Sequence, residues 1–169
     1  IVCRDDAYPG SDMSTDDMLV RRYAREIAAA QVPVGSWGSW MDAGTADAAL
    51  RRFMTSDTAE WGVIGAWEHG CDMTADPYVA PHPAVNPSLM SQWCELLRFY
   101  DAYAKGVDNG VRGAKTLWYY TMGEQVWKST PVWPPPGVRT QRWYLASGRT
   151  LSPQPPADDS AADGYTVDF

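Results

Sequence analysis

The stretch "VPVGSWGSWMDAGTADAALRRFMTSDTAEWGVIGAWEHG" (residues 32–70) decides the fold. Val32-Pro33-Val34 opens an apolar run through about Trp37 that reads as a short strand. Asp42 follows it. From Thr45 the run "TADAALRRF" is rich in helix formers, with Thr45 placed as a cap. "AEWGVIGAWEHG" (59–70) then reads as a second strand ending at a Gly-containing turn. Strand, helix and strand in this order make the unit from which parallel sheets are built.

The flanking sequence extends the pattern. Upstream, Ser14-Thr15-Asp16-Asp17 has the makeup of a helix start, with acidic groups where the helix dipole favours them. Leu19, Tyr23 and Ile27 recur at four-residue spacing, which predicts an amphipathic helix ending before Pro33. Downstream, "PHPAVNP" (81–87) is a loop. A helix is expected from about Ser88 to Lys105, with Pro87 at its first turn and Gly106 ending it. Leu89, Trp93, Leu96 and Tyr100 form its apolar face. "DNG" (108–110) is a turn, and "KTLWYYTMG" (115–123), "TQRWYLASG" (140–148) and "GYTVDF" (164–169) are further strands.

Helices and strands thus alternate up to Gly123, and only strand and turn signals follow. The expected fold class is α/β, with a boundary near residues 123–140 that divides the chain into 1–123 and 124–169. The Pro- and Trp-rich run "STPVWPPPGVRTQRWYL" (129–145) reads as a linker giving way to an extended segment. The second portion is too short to close a sandwich or barrel alone, so it reads as the opening of an all-β domain. No internal repeat is evident.

Composition narrows the function. With 169 residues, 45% hydrophobic and 21% charged, the chain has a globular makeup and can bury a substantial core. Its net charge of −7 argues against nucleic-acid and anionic-membrane partners, which offer no counter-charge to attract it. No apolar run approaches the length of a membrane span. Cys3, Cys71 and Cys94 cannot all pair within one chain, and one disulfide or three free thiols both fit. The chain starts at Ile1 with no basic-then-apolar leader, so it is expected to be processed, trimmed or a partial sequence, which leaves a cytoplasmic or secreted location open.

In a parallel sheet, successive strands joined by a crossover end on the same edge, where ligands and catalytic groups gather. Asp42 follows one such strand end and His69 the next. An acid followed by a histidine on neighbouring strand ends is the second half of the order Ser…Asp…His found in α/β-hydrolases. A serine hydroxyl is a weak nucleophile and needs an imidazole to take its proton. The carboxylate holds that imidazole in the right tautomer and stabilises its charged form. Plainer readings stand beside this one: Asp42 as a helix cap, His69 as a structural group, or His69, Cys71 and Asp72 as ligands of a metal-dependent hydrolase. His82 lies in a Pro-flanked loop and adds no recognised ligand spacing.

Several motifs resemble those of the cocaine esterase and X-prolyl dipeptidyl aminopeptidase family of α/β-hydrolases. "VPVGSWGSWMD" (32–42) resembles its strand carrying the triad aspartate, and "GAWEHG" (65–70) its triad-histidine motif. "ELLRFYDAYAKGVDNGV" (95–111) and "WYYTMGEQVWKSTPVWPPPG" (118–137) are similar to the segments that follow. "YLASGRTLSP" (144–153) and "GYTVDF" resemble the first strands of the family's C-terminal jelly-roll domain. The resemblance implies the C-terminal portion of a hydrolase domain followed by the start of a jelly roll. It also implies Asp42 as triad acid, His69 as general base, an ester- or amide-cleaving reaction on a small molecule, and no metal or cofactor. Residues just after the acid can border the acyl site in that family, which points to Ala43 and Gly44. Ser39, Met41, Ala66 and Phe169 depart from its usual Gly, Tyr, Pro and Pro.

G-x-S-x-G occurs nowhere in the chain. Its nearest string, Val34-Gly35-Ser36-Trp37-Gly38, lacks the first Gly and lies within a strand, not on the strand-to-helix elbow a nucleophile needs. The chain is therefore expected to supply Asp42 and His69 to a serine that lies outside it, and to be inactive alone. An open sheet edge invites association with the rest of the enzyme, a complementary chain or a second copy. The competing expectation is a noncatalytic or processed fragment serving as a structural or binding module. Trp37, Trp40 and Met41 are candidate pocket walls, although aromatics at strand ends more often belong to a core.

Overall fold

Trp61, Val63 and Ile64 set the architecture, because their strand is covered on both faces. The computed structural model describes residues 3, 5–80, 84–156, 162 and 164–168. In chain order its elements are α1 (Ala24–Ala30), β1 (Val34–Ser39), α2 (Thr45–Thr55), β2 (Ala59–Gly65), α3 (Leu89–Lys105), β3 (Thr116–Thr121), β4 (Val126–Thr130), β5 (Tyr144–Ala146) and β6 (Thr150–Ser152). The first four strands form one sheet in the order β1-β2-β3-β4. β1, β2 and β3 run parallel, whereas β4 returns antiparallel beside β3. Ser39 is in register with Gly65, so β1 and β2 end at the same edge.

Side chains alternate across a strand, and β2 uses both directions. Trp61 and Val63 pack on one face with Phe99 and Ala102 of α3 and with Trp67. Ile64 packs on the other with Ala46, Ala49 and Phe53 of α2 and with Leu117 of β3. Ile64 and Leu117 are fully buried, and side chains of this size contribute about 1.5–3 kcal/mol each when removed from water. On the α3 face Trp37 stacks on Trp67 at 5.8 Å between ring centroids, and Trp67 meets Trp127 at the same separation. Gly65 makes room for this: a Cβ there would lie 2.2 Å from the Trp67 ring. Gly38 does the same for α2, since a Cβ would lie 2.9 Å from the Thr45 carbonyl oxygen.

The expected helix upstream of Pro33 is broken. Short 3₁₀ turns cover Asp16–Met18 and Val20–Tyr23, Leu19 is extended between them, and only Ala24–Ala30 is α-helical. None of these elements has a buried residue, and a short helix without a packed face has little to hold it. β1 starts at Val34 and runs to Ser39, and β2 stops at Gly65, beyond which the chain bends at Ala66 and Trp67 bridges to Thr74.

α3 keeps its expected bounds, with Ser88 accepting a hydrogen bond from the Ser91 amide and Gly106 in the left-handed conformation at its end. Its expected apolar face is corrected. Leu96 of that face does pack against the core, but Leu89, Trp93 and Tyr100 are exposed together with Met90 and Leu97, and Gln92, Phe99 and Ala102 point inward. Gln92 is inside because its Nε2 donates to the carbonyls of Cys71 and Pro87, at 2.9 and 3.1 Å.

β4 is an element the sequence reading did not anticipate. It pairs with β3 from Thr121↔Val126 to Leu117↔Thr130 and carries the first compact unit through Trp133. The first compact unit ends at Trp133, ten residues beyond Gly123 and inside the 123–140 span. The second unit, from Pro134, contains the antiparallel pair β5-β6. The strand expected over 140–148 is confined to Tyr144–Ala146, and residues 164–168 form no strand. Phe169, and His82 with its neighbours Pro81 and Pro83, lie outside the described residues. Cys3, Cys71 and Cys94 are all free thiols.

Candidate active site

The site grows from the two turns that leave β1 and β2 at their shared edge. After Ser39 the Trp40 amide donates to the Gly65 carbonyl at 2.9 Å, extending the ladder by one step. The chain then folds back into α2. The Thr45 hydroxyl donates to the Asp42 carbonyl at 2.8 Å and accepts from the Ser39 amide at 3.1 Å. The Thr45 amide also donates to the Asp42 carbonyl, at 3.0 Å. Thr45 was expected as the helix cap, but it is the first residue of α2; the cap position is Gly44, which offers no side chain.

This disposes of the capping role for Asp42. Its backbone carbonyl serves the helix start, and its carboxylate goes elsewhere. Oδ2 lies 3.0 Å from Nδ1 of His69, on the turn after β2. The acid is largely enclosed, with 19% of its side chain accessible, while the imidazole is 88% accessible. Nε2 of His69 has no hydrogen-bond partner among the described residues. A neutral imidazole whose Nδ1 donates to a carboxylate presents Nε2 as an acceptor.

Charge around the imidazole favours its protonated form. The hydrogen bond to Asp42, then the charge of Asp42, and to a lesser degree the charge of Glu68 hold the His69 pKa above that of an isolated histidine. Glu68 knots the turn: its carboxylate accepts from the Gly70 amide at 2.7 Å and from the Asp72 amide at 3.3 Å. These contacts, led by Gly70, hold the Glu68 carboxyl below the usual range. Gln92 of α3 ties down the following residue through the Cys71 carbonyl.

A cavity of about 310 Å³ opens beside the pair, with Asp42, His69 and Cys71 in its lining and Trp37, Trp67 and Trp93 among its apolar walls. Trp37 thus lines a pocket, but Trp40, Ala43 and Gly44 do not contribute to this one. The Trp40 indole donates to the Tyr120 carbonyl at 2.7 Å and packs near Trp133, as a core aromatic does. Ala43 and Gly44 are exposed in the acid-bearing turn. Ser36 lies inside β1 opposite Gly62, with its hydroxyl buried and unpartnered, so nothing couples it to His69. His69, Cys71 and Asp72 do not gather as metal ligands; the described residues that bring three ligand-type atoms together are Cys3, Asp5 and Asp6, all exposed. Burial is the main cause that pushes the Cys71 thiol pKa up, away from a reactive thiolate.

Of two further contributors, Thr45 is expected from the sequence only as a cap and Gln92 not at all. Thr45 shapes the acid-bearing turn, and Gln92 anchors the base-bearing one. Their only sequence signal is a hydroxyl or amide group at the end of an element that faces the same sheet edge.

Comparison with known proteins bears on the chain as a whole. Residues 109–169 match the family model described as the X-Pro dipeptidyl-peptidase C-terminal non-catalytic domain. The chain is also 37% identical over 147 residues to two proteins named "Putative serine esterase", one from Mycobacterium bovis and one from Mycobacterium tuberculosis. That match covers 86% of this chain and 23% of each relative, so the chain spans about a quarter of their length. A match of 147 residues within 169 necessarily includes positions 42 and 69, and both precede the part matched as non-catalytic.

Proposed function

We infer that this chain is a C-terminal region of an X-Pro dipeptidyl-peptidase and cocaine-esterase-like family member, and propose that it supplies the acid and the base of a serine hydrolase cleaving an ester or amide bond. The observation that carries this reading is the 3.0 Å hydrogen bond between Asp42 and His69 at one sheet edge, with Nε2 left open. Residues up to Trp133 are then the end of an α/β-hydrolase domain, and those from Pro134 begin a jelly roll. The nucleophilic serine comes from polypeptide outside this chain, as does the cover for β1, which has β2 on one side and no strand on the other among the described residues.

In the reaction, Nε2 of His69 takes the proton of the serine hydroxyl as its oxygen bonds to the substrate carbonyl carbon. The bond to the leaving alcohol or amine breaks, and the leaving group departs with the proton held on Nε2. Water then adds to the acyl-enzyme by the same route: its proton passes to Nε2 and onward to the serine oxygen as the acid product leaves. Asp42 stays ionised throughout, fixing the tautomer and balancing the imidazolium. Ala43 and Gly44, small and exposed after the acid, are assigned to the border of the acyl site.

Labelling the full-length polypeptide with a fluorophosphonate probe tests this reading. Covalent capture of one serine, lost in His69→Ala, is the expected result. A second reading, a noncatalytic module, predicts no labelling at all.

A further inference from the structure

Ser39 is a buried side chain without a role in the reading above, and its hydroxyl joins the two turns that carry Asp42 and His69. It is the last residue of β1, it is 1% accessible, and its hydrogen-bonding capacity is fully used. Oγ donates to the Trp67 carbonyl at 2.5 Å. It accepts from the Trp67 amide at 3.1 Å and from the Met41 amide at 3.1 Å. One hydroxyl offers one proton and two lone pairs, so nothing remains unsatisfied. Met41 adjoins Asp42, and Trp67 lies two residues before His69.

β1 and β2 are bonded as a ladder only as far as the Trp40 amide and the Gly65 carbonyl. Beyond that step, among the described residues, the hydrogen bonds that cross between the acid and base turns are those of the Ser39 hydroxyl and the Asp42–His69 contact itself. His69 is almost wholly exposed, so solvent competes for its Nδ1 unless the backbone already holds it opposite the carboxylate. The geometry assigns Ser39 as a positioning residue that fixes the spacing of the Asp42–His69 pair. It touches neither the imidazole nor the carboxylate and acts through the Trp67 and Met41 backbone. This inference rests on the catalytic reading for its effect on turnover, but not for its effect on the imidazole.

Loss of the hydroxyl leaves buried backbone groups without their partner and frees the turns to separate. Ser36 provides the control, because it sits on the same strand with a buried hydroxyl that bonds to nothing. In the full-length polypeptide, Ser39→Ala is expected to lower the His69 pKa, read by NMR titration of its imidazole, in the direction that Asp42→Asn lowers it. It should also reduce kcat about ten- to a hundredfold with KM little changed, since a small misplacement of a reacting group has an effect of that size. Ser36→Ala should do neither. If Ser39→Ala does not fold, Ser39→Cys, which retains a weak donor and acceptor, is expected to show a smaller shift in the same direction. An unshifted His69 titration in a folded Ser39 variant, alongside a shift in Asp42→Asn, overturns the inference and leaves the catalytic reading standing. Unchanged turnover in His69→Ala overturns the catalytic reading, while the titration still reports whether Ser39 sets the pair.

Discussion

Helices α2 and α3 cover opposite faces of one sheet and use their apolar residues differently. α2 turns Ala46, Ala49 and Phe53 inward. α3 carries more apolar side chains than its inner face takes: Phe99 and Ala102 are inside, Trp93 flanks the cavity, and Met90, Leu97 and Tyr100 are exposed. It even turns a polar residue inward, because Gln92 has two carbonyls to satisfy there. Each helix also holds one half of the site. α2 shapes the acid-bearing turn through Thr45, and α3 anchors the base-bearing turn through Gln92. Amphipathic spacing thus identifies a helix, but the groups it meets decide which stripe faces in.

The largest test of this division concerns what the two helices hold in common. In the full-length polypeptide, Asp42→Asn should lower kcat about 10⁴-fold, and His69→Ala at least as far, with melting temperatures little changed. Near-normal turnover in either variant would separate the two turns from the chemistry.

Next come the helices themselves. Phe53→Ala should cost about 3–5 kcal/mol in denaturant unfolding, because Phe53 is almost fully enclosed. Met90→Ala, on the outer stripe of α3 at 72% accessibility, should cost less than about 0.5 kcal/mol. A cost for Met90 close to that for Phe53 would break the contrast by showing the stripe covered in the full-length polypeptide.

Gln92→Leu sharpens it further. This change keeps the bulk and removes the donor from two carbonyls, so an unfolding cost of about 1–3 kcal/mol is expected. Nothing measurable here would mean that Gln92 is inside for packing alone.

The smallest effect is electrostatic. His69 must be neutral to accept a proton, and its pKa is raised, so activity should fall on acidification at a higher pH than the ~6.5 of an isolated imidazole. Removing either negative neighbour must move that limb to lower pH. By NMR titration, Glu68→Gln should lower the His69 pKa by less than Asp42→Asn does, since Asp42 supplies both the hydrogen bond and the larger charge effect. A larger shift from Glu68 would reverse the order of their influence.

Much of this was legible in the residues. The strand-helix-strand order of 32–70 put Asp42 and His69 at one edge, because parallel strands end together, and Gly106 marked the end of α3. Other parts were hidden for identifiable reasons. β4 is obscured because its Val-Trp-Lys-Ser-Thr run abuts a proline cluster that reads as linker, although it pairs with β3 as a hairpin across a short turn. The upstream helix had the right spacing but no face to pack on. Ser39 was noted only as a departure from a family pattern, since a hydroxyl's partners are set by backbone groups far along the chain.

By itself the sequence determined the alternation of elements, the parallel sense of the first strands, and that Asp42 and His69 stand at one sheet edge. These follow from local periodicity and chain connectivity, which each segment carries within itself. The tertiary structure alone decided which stripe of α3 is buried, that Asp42 pairs instead of capping, and that Ser39 and Thr45 hold its turn. Hydrogen-bond partners and packing faces are relations between distant segments, and they exist only once the sheet has brought those segments together.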